Sequence, residues 1–150
     1  MRLKIWLALP AGLVLIMSLI VVFGQWRVQA QEFPAAQFAP DWLVLAQQEI
    51  VSVVTTDSDG ERRVTQLWIA AVAEQPYLRT SDTRWYRNLQ RSPQLTLRIG
   101  GHAYACASRE VEDEGVRAAV HAAFSNKYPR RSRMFRAFGI RTDRVLALAC

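Results

Sequence analysis

Cysteine and histidine are scarce in this sequence of 150 residues, which contains two of each. Two cysteines cannot form the disulfide framework of a small secreted domain, although Cys106 and Cys150 could form one bridge in an oxidising compartment. The sequence leaves that pairing open, because Cys106 also suits a small apolar position in a strand. On a strand, His102 and Cys106 would lie about 13 Å apart, too far to share a metal ion. We therefore predict no metal site.

Three common functional signatures are also absent: a glycine-rich phosphate loop, paired cysteines at metal-binding spacing, and a serine nucleophile elbow. A carboxylate cluster is present, and its four members would suit acid–base chemistry: Glu110, Glu112, Asp113 and Glu114. Their position before a helical pattern explains them equally well, because carboxylates stabilise the N-terminus of a helix. No catalytic residue follows from these patterns.

A long uncharged stretch opens the chain at residues 5–24 and is long enough to cross a bilayer. Arg2 and Lys4 precede it and only Arg27 follows closely, so the charge bias predicts a cytoplasmic N-terminus and an extracytoplasmic domain. We predict a single-pass membrane anchor within residues 1–30.

The alternative to an anchor is a cleaved secretory signal, since residues 28–30 fit the small-residue pattern of a cleavage site. The apolar run exceeds the usual signal core of about 7 to 15 residues, which favours the anchor. Residues 31–40 contain two prolines and are predicted to be a linker to a domain at 41–150.

Alternating apolar residues and short turns dominate the remainder of the chain, with turns predicted at 57–60, 75–76 and 100–101. Strands are predicted at 50–56, 62–73, 77–80, 94–99, 102–111 and 145–149, and helices at 42–48, 84–91 and 113–127. Short turns between successive strands favour an antiparallel sheet. The sequence thus predicts a β-rich domain, a small barrel of five to six strands with flanking helices.

Positive charge exceeds negative charge, giving a formal net charge of +6 that favours anionic partners. Basic residues concentrate late in the chain, where Phe135 and Phe138 are interleaved with arginines at positions 130, 131, 133, 136, 141 and 144. This stretch predicts either a solvated loop or contact with anionic lipid headgroups. For a tethered domain lipid is favoured over nucleic acid, so no nucleic-acid partner is expected.

An anion-binding site is predicted where a strand meets a helix, at residues 80–84. Thr80, Ser81 and Thr83 offer hydroxyl groups, and the start of a helix offers free backbone N–H groups. Arg84 can add a bidentate contact to phosphate. Asp82 would repel a phosphate unless its carboxylate points away. A capped turn with a solvated arginine is the alternative interpretation.

Three patterns in residues 53–101 resemble the flavin and deazaflavin split-barrel superfamily, whose best-known member is pyridoxamine 5′-phosphate oxidase. The first is a hairpin, T-x-D-x-x-G from Thr55, followed by a strand that ends near Trp68; the second is a strand that ends in Thr80. The third is R-x-x-x-N-L-x-x-x-P-x-x-x-L from Arg84. The sequences WYRNL and NKY, at 85–89 and 126–128, are most similar to a subgroup related to deazaflavin-dependent nitroreductases.

This resemblance implies a split barrel of six strands that forms a homodimer and binds FMN or a deazaflavin between subunits. The residues that it places at the phosphate are Thr80, Ser81, Thr83 and Arg84, with Arg62 or Arg63 as further charge. Gln66 and Trp68 would lie near the ring system. Trp85 stands where flavin-binding relatives tend to have lysine, and it either stacks on the ring or packs in the core.

The resemblance also implies an oxidoreductase that works by hydride transfer through its cofactor. Together with the anchor predicted within residues 1–30, it would be a membrane-tethered oxidoreductase. Three residues are candidates for protonating a reduced substrate: Tyr86, Lys127 and Tyr128. The alternative is a split barrel without catalysis, which binds a small ligand or only dimerises.

Overall fold

The structure is a computed structural model that describes Ser18 and residues 31–150, except for the side chain of Arg136. Residues Phe33–Cys150 form one compact unit. The anchor predicted at 5–24 lies outside the described residues, apart from Ser18. Within the described residues, no helix combines the length and apolar character that a membrane span requires.

The compact unit is built on a closed antiparallel barrel. Its strands are β1 (Ile50–Thr56), β2 (Arg62–Val72), β3 (Gln75–Thr80), β4 (Gln94–Ile99), β5 (His102–Glu110) and β6 (Arg144–Ala149). They pair around the barrel in the order β1-β2-β3-β6-β5-β4. The helices in the described part of the chain are α1 (Trp42–Leu45), α2 (Arg84–Arg91), α3 (Glu114–Lys127) and α4 (Pro129–Ala137). The predicted β-rich split barrel of six strands is confirmed.

Side chains alternate between the two faces of the barrel wall, and each face carries its own apolar cluster. The first is a large core to which Ile69, Leu78 and Leu146 belong, each at most 2 % exposed. Their neighbours in sequence point to the opposite face, because successive strand side chains alternate. That second face carries Ala70, Tyr77 and Val145 together with Val120 and Phe124 of α3. Helix α3 thus covers the outer side of β2, β3 and β6.

The turn between β2 and β3 lies at Ala73 and Glu74, two residues before the predicted turn at 75–76. Both residues have positive φ, 49° and 64°, which matches the two-residue hairpin turn that follows the twist of its strands. Pro76 therefore sits inside β3, opposite Ala71. The prediction was wrong because it placed the turn at Pro76. The true turn residues gave no signal in the sequence, since neither is glycine or asparagine, the residues that favour positive φ.

Helix α4 occupies the basic stretch for which the sequence predicts a solvated loop or contact with lipid headgroups, and the helix was not predicted. Pro129 occupies the first helical position, where a missing N–H costs nothing, and the backbone N–H of Ser132 donates to the Tyr128 carbonyl at 2.9 Å. Arginine is also a good helix former. The polar composition hid the helix, because few apolar residues mark a buried face.

A disulfide joins Cys106 in β5 to Cys150, which follows β6. The two strands pair from Ala107 opposite Ala149, so the cysteines occupy the next register position, with Cα atoms 4.0 Å apart. Sequence spacing left this bridge open, and barrel closure decides it. The bond ties the C-terminal residue to the strand that carries the buried Cys106.

Candidate functional site

Asp57 directly follows β1, and its side chain is 3 % exposed. Its Oδ1 accepts from Asn88 Nδ2 at 2.7 Å, and its Oδ2 lies 3.0 Å from Arg63 Nε and 2.6 Å from Arg84 Nη2. The hydrogen bond from Asn88, followed by those from the two arginines, lowers the pKa of Asp57 in spite of its burial. We call these four residues the Asp57 cluster; it fastens α2 to the first hairpin.

A cleft of about 210 Å³ is formed by β2, β3, the turn before α2, and the helices α3 and α4. Four aromatic side chains line it: Trp68, Trp85, Phe124 and Phe135. The rest of its lining comprises Gln66, Leu67, Arg79, Thr80, Ser81, Thr83, Ile140 and Thr142. Aromatic walls with a few convergent polar groups are typical of small-molecule sites.

The cleft brings together six of the eight residues that the sequence analysis assigned to a cofactor: Gln66, Trp68, Thr80, Ser81, Thr83 and Trp85. Arg63 and Arg84 do not line it, because both guanidinium groups are held by Asp57. Trp85 is 5 % exposed and belongs to the large core as well as to the cleft wall. Trp85 can therefore pack in the core and also stack on a ring in the cleft.

The hydroxyl groups at the turn before α2 form a compact set. Thr80 Oγ1 lies 3.0 Å from Thr83 Oγ1 and donates to the Ser81 carbonyl at 3.0 Å. Thr83 is the N-cap residue of α2, yet its side chain makes no capping hydrogen bond. The Asp82 carboxylate, 70 % exposed, pairs with Arg87 at 3.2 Å. Asp82 thus points away from the cleft, and the repulsion that it would cause there does not arise.

Arg79 is the basic residue of the cleft, and it was not among the predicted site residues. Its Nη1 donates to His121 Nδ1 at 3.0 Å, and its guanidinium carbon lies 4.4 Å from the centre of the Phe124 ring. Its Nε is buried and has no hydrogen-bond partner among the described residues. Burial lowers the pKa of Arg79. The available signal was an arginine near the end of a short strand, directly after three apolar residues.

Helix α4 contributes a second residue that was missed as a cleft residue. Phe135 lies 5.2 Å from Trp68 between ring centres, and Arg131 lies 4.7 Å above the same indole. Phe135 stood out in the sequence only as an aromatic between arginines, with no sign that it faces β2. Because helix α4 was not predicted, the contact between Phe135 and Trp68 could not be predicted either.

Larger than the cleft is a cavity of about 430 Å³ on another part of the barrel, lined in part by Glu110, Glu112 and Asp113. Two of its carboxylates have structural roles. Asp113 accepts the Val116 backbone N–H as the N-cap of α3, and Glu110 lies 2.9 Å from Arg144 Nη1. Carboxylates would repel a phosphorylated ligand, so the cleft is the better site for an anion.

The three candidate proton donors lie outside the cleft lining, and each already donates a hydrogen bond. Tyr86 donates to Glu110 at 2.7 Å. Lys127 donates to the carbonyls of Ala46, Gln48 and Ile69, and the Tyr128 hydroxyl lies 2.8 Å from the Ile69 carbonyl oxygen. Burial raises the pKa of Tyr128 to about 12. Lys127 and Tyr128 thus hold the segment after α1 against β2.

Metal ligation receives no support from the described residues, in which no three His, Cys, Asp or Glu side chains converge. Cys106 is bonded to Cys150, and His102 Nδ1 lies 3.1 Å from the Gly100 carbonyl oxygen. Both side chains therefore make their contacts within the barrel.

Comparison with known proteins places this barrel in a family. Residues 43–144 match the family model described as "uncharacterized protein conserved in bacteria (DUF2255)". The chain belongs to the DUF2255 family. A comparison with curated proteins found no match.

Solved structures with the same fold include three of different description. An F420-H2-dependent reductase is 20 % identical over 68 % of this chain and 95 % of its own, with a TM-score of 0.56. HutZ, a heme storage protein from Vibrio cholerae, is 16 % identical over 75 % and 88 %, with a TM-score of 0.55. A putative pyridoxamine 5′-phosphate oxidase from Listeria innocua is 12 % identical over 71 % and 87 %, with a TM-score of 0.55. At these identities the likeness establishes the fold alone, which agrees with the predicted split barrel.

Proposed function

We propose that this DUF2255 protein binds FMN or a deazaflavin in the cleft and is an oxidoreductase. The observation that carries the proposal is the cleft itself, which combines aromatic walls, a set of hydroxyl groups and a half-buried cation, Arg79. The orphaned Nε of Arg79 fits an anionic ligand, because buried polar atoms usually have a partner. The reductase and the putative oxidase with the same fold add support.

Each part of the cleft has a role in this proposal. Thr80, Ser81 and Thr83 hold the phosphate through their hydroxyl groups, and Arg79 supplies the positive charge. Trp68 and Trp85 pack against the ring system, with Gln66 available to its polar edge. When bound, the cofactor supplies hydride-transfer chemistry, while these residues orient it and exclude water. Arg63 and Arg84 stabilise the turn through Asp57 instead of lining the cleft.

We further propose that the functional unit is a homodimer. A cleft of about 210 Å³ is small for a tricyclic cofactor, since ligand pockets usually measure about 300 to 1,000 Å³. A second subunit would complete the walls. Exposed apolar residues near the cleft, Met134 and Ile140, at 45 % and 49 % exposure, offer surface for that contact.

Ligand titration tests the cofactor assignment. The full chain, purified in detergent, is titrated with FMN and with a phosphorylated deazaflavin, and binding is followed by quenching of tryptophan fluorescence. We expect binding of at least one of them, and weakening by about tenfold or more in Arg79→Gln, the usual effect of losing a charge-assisted hydrogen bond. Arg87→Gln is the matched control, because Arg87 pairs with an exposed carboxylate away from the cleft.

Binding that is equally strong in Arg79→Gln and in the double variant Thr80→Val, Ser81→Ala would remove the cleft as the site. The absence of binding by either cofactor would leave the alternative, a split barrel without catalysis that binds another small ligand. That alternative is favoured by one observation: Tyr86, Lys127 and Tyr128 are all engaged in structural hydrogen bonds. The absorption spectrum and bound-ligand mass of protein from its native host separate the two.

We also propose that residues 1–30 tether the protein to a membrane, with the barrel outside the cytoplasm. The disulfide between Cys106 and Cys150 supports this location, because such bonds persist mainly in oxidising compartments. Alkylation of the thiols in intact cells, before and after reduction, tests it. The exposed Cys150 should react only after reduction, whereas a Cys150 thiol that reacts without reduction in the native cell would place the barrel in the cytoplasm.

A further inference from the structure

A second cavity, of about 230 Å³, adjoins the cleft and shares Arg79, Phe135, Ile140 and Thr142 with it. Its remaining lining is polar: His121 and Ser125 from α3, and Ser132 from α4. It has room for several water molecules, at about 30 Å³ each, and hence for a small oxyanion. Hydroxyl and nitrogen donors predominate in its wall.

Arg79 gives this cavity a positive charge that no carboxylate neutralises. Among the described residues it forms no ion pair; its partners are His121 and the Phe124 ring. The acids whose charge acts on the pKa of His121 are Asp143 and Glu114, and neither lines the cavity. Glu114 is paired with Arg117 at 3.0 Å. A half-buried cation without a counter-ion is costly, so an anionic ligand would relieve it.

His121 is set up as a donor beside this cation. A guanidinium N–H can only donate, so His121 Nδ1 must accept from Arg79 Nη1. Burial, followed by the charges of Arg79 and Arg117, lowers the pKa of His121, so the ring is neutral near pH 7. A neutral ring that accepts at Nδ1 carries its proton at Nε2. A residue with an imidazole N–H donor thus lines the cavity beside the guanidinium.

We propose that Arg79, His121, Ser125, Ser132 and Thr142 form an oxyanion subsite, which binds a carboxylate or phosphate group of a small-molecule ligand. The subsite rests on its own cavity and stands whether or not the cleft takes a flavin. Two sources share this chemistry: the phosphate tail of a cofactor in the cleft, or an anionic group of a separate substrate.

Inorganic phosphate is the first probe of the subsite. It is titrated into the full chain in detergent at constant ionic strength, with chloride as the balancing anion, while the ¹⁵N–¹H signals of the Arg79 side chain and of the His121 and Ser125 backbone amides are recorded. We expect a saturable shift of these signals in the native chain, and in Arg79→Gln a dissociation constant, measured from the two backbone amides, at least about tenfold weaker. Arg87→Gln, which removes an exposed arginine, should bind phosphate as the native chain does.

Either of two results overturns the subsite: no saturable shift with phosphate or with succinate, or unchanged phosphate binding in Arg79→Gln. If circular dichroism shows that Arg79→Gln does not fold, Thr142→Val takes its place, because it removes one lining hydroxyl at nearly constant volume. It should weaken phosphate binding by about threefold or more. Unchanged binding in this variant would likewise overturn the subsite.

Competition distinguishes the two sources. If the subsite holds the cofactor phosphate, inorganic phosphate should weaken FMN binding in proportion to its concentration and leave riboflavin binding unchanged. If it holds a substrate anion, phosphate and FMN should bind together. Phosphate binding without any flavin binding would remove only the cofactor proposal, and flavin binding without phosphate binding would remove only the subsite.

Discussion

Arg84 Nη2 lies 2.6 Å from Asp57 Oδ2, and this ion pair joins the start of α2 to the end of β1. The Asp57 side chain is 3 % exposed, whereas that of Arg84 is 57 % exposed. The arginine that was predicted to bind a phosphate therefore neutralises a buried carboxylate. Its main contribution is to the stability of the fold, and the charge available to the cleft comes from Arg79.

Replacing Arg84 should accordingly affect stability more than ligand affinity. We expect Arg84→Ala to lower the melting temperature by roughly 2 to 6 °C and to change FMN affinity by less than about twofold. Differential scanning calorimetry and fluorescence titration measure the two effects. Arg87→Ala is the control, since its ion pair with Asp82 is exposed on both sides and should contribute little. A tenfold loss of FMN affinity at an unchanged melting temperature would show that Arg84 contacts the phosphate after all.

Acid should weaken the fold through Asp57. Its pKa is lowered in the folded state, first by the hydrogen bond from Asn88 and then by those from Arg63 and Arg84. The carboxylate thus stabilises the fold above its unfolded pKa, near 3.8, and this contribution is lost as the pH falls through the lower folded value. Urea denaturation from pH 7 to pH 2.5 should show Asp57→Asn much less stable than the native chain at pH 7, with the gap closing below pH 4. A gap that is constant with pH would contradict this.

The disulfide should stabilise the barrel by restricting the unfolded chain. For a sequence separation of 44 residues, loop-closure entropy predicts a loss of about 3 to 4 kcal/mol in the free energy of unfolding for Cys150→Ser. Cys150 is exposed, so this change leaves the core intact, which Cys106→Ala would not. Chemical denaturation measures the loss. Adding a reductant should bring the native chain to the level of the variant and leave the variant unchanged; an equal effect on both would count against the bridge.

Tyr128 should matter for stability through its hydroxyl group. The hydroxyl oxygen lies 2.8 Å from the Ile69 carbonyl oxygen and 2.9 Å from that of Glu49. We expect Tyr128→Phe to lower the free energy of unfolding by about 0.5 to 1.5 kcal/mol, the usual net contribution of one hydrogen bond, because Lys127 still donates to the Ile69 carbonyl. Tyr104→Phe is the matched control, because the Tyr104 hydroxyl makes no hydrogen bond within the described residues. Equal losses in both variants would show that the ring, and not the hydroxyl, is responsible.

Contact of α4 with anionic lipid remains a prediction of the sequence, and the structure supplies a way to test it. Phe138 is 75 % exposed and follows α4, whose Arg130 and Arg133 are also exposed. A spin label on Phe138→Cys should be selective, because both native cysteines are in the disulfide. In nanodiscs that contain anionic lipid, its collisions with oxygen should rise relative to neutral nanodiscs.

A label on Asp59→Cys, in the β1–β2 turn, provides the control for this measurement and should not respond to lipid charge. The variant with both Arg130→Gln and Arg133→Gln should lose the response at Phe138. If the label at Phe138 gives the same signal in both kinds of nanodisc, α4 does not bind anionic lipid.

Local patterns in the sequence determined most of the barrel. Alternating apolar residues predicted β4 with its observed bounds, Gln94–Ile99, because one face of that strand packs in the core and this periodicity is local. Helix α2 also has its predicted bounds, Arg84–Arg91, and Pro93 marks its end in the sequence. Helix α4 was not predicted because its apolar residues are few. The β2–β3 turn was predicted at the wrong residues because tertiary pairing imposes positive φ on Ala73 and Glu74.

The sequence by itself also determined the hydroxyl groups before α2 and the aromatic residue at position 68, since both belong to motifs that can be seen along the chain. Only the tertiary structure decided which charge faces the cleft. Asp57 lies 27 residues from Arg84 in sequence, and only the closing of the hairpin on α2 brings them together. Arg79 and His121, 42 residues apart, meet because α3 packs on the outer face of β3. Charge pairing depends on distances in space, which residue patterns along one strand or helix do not contain.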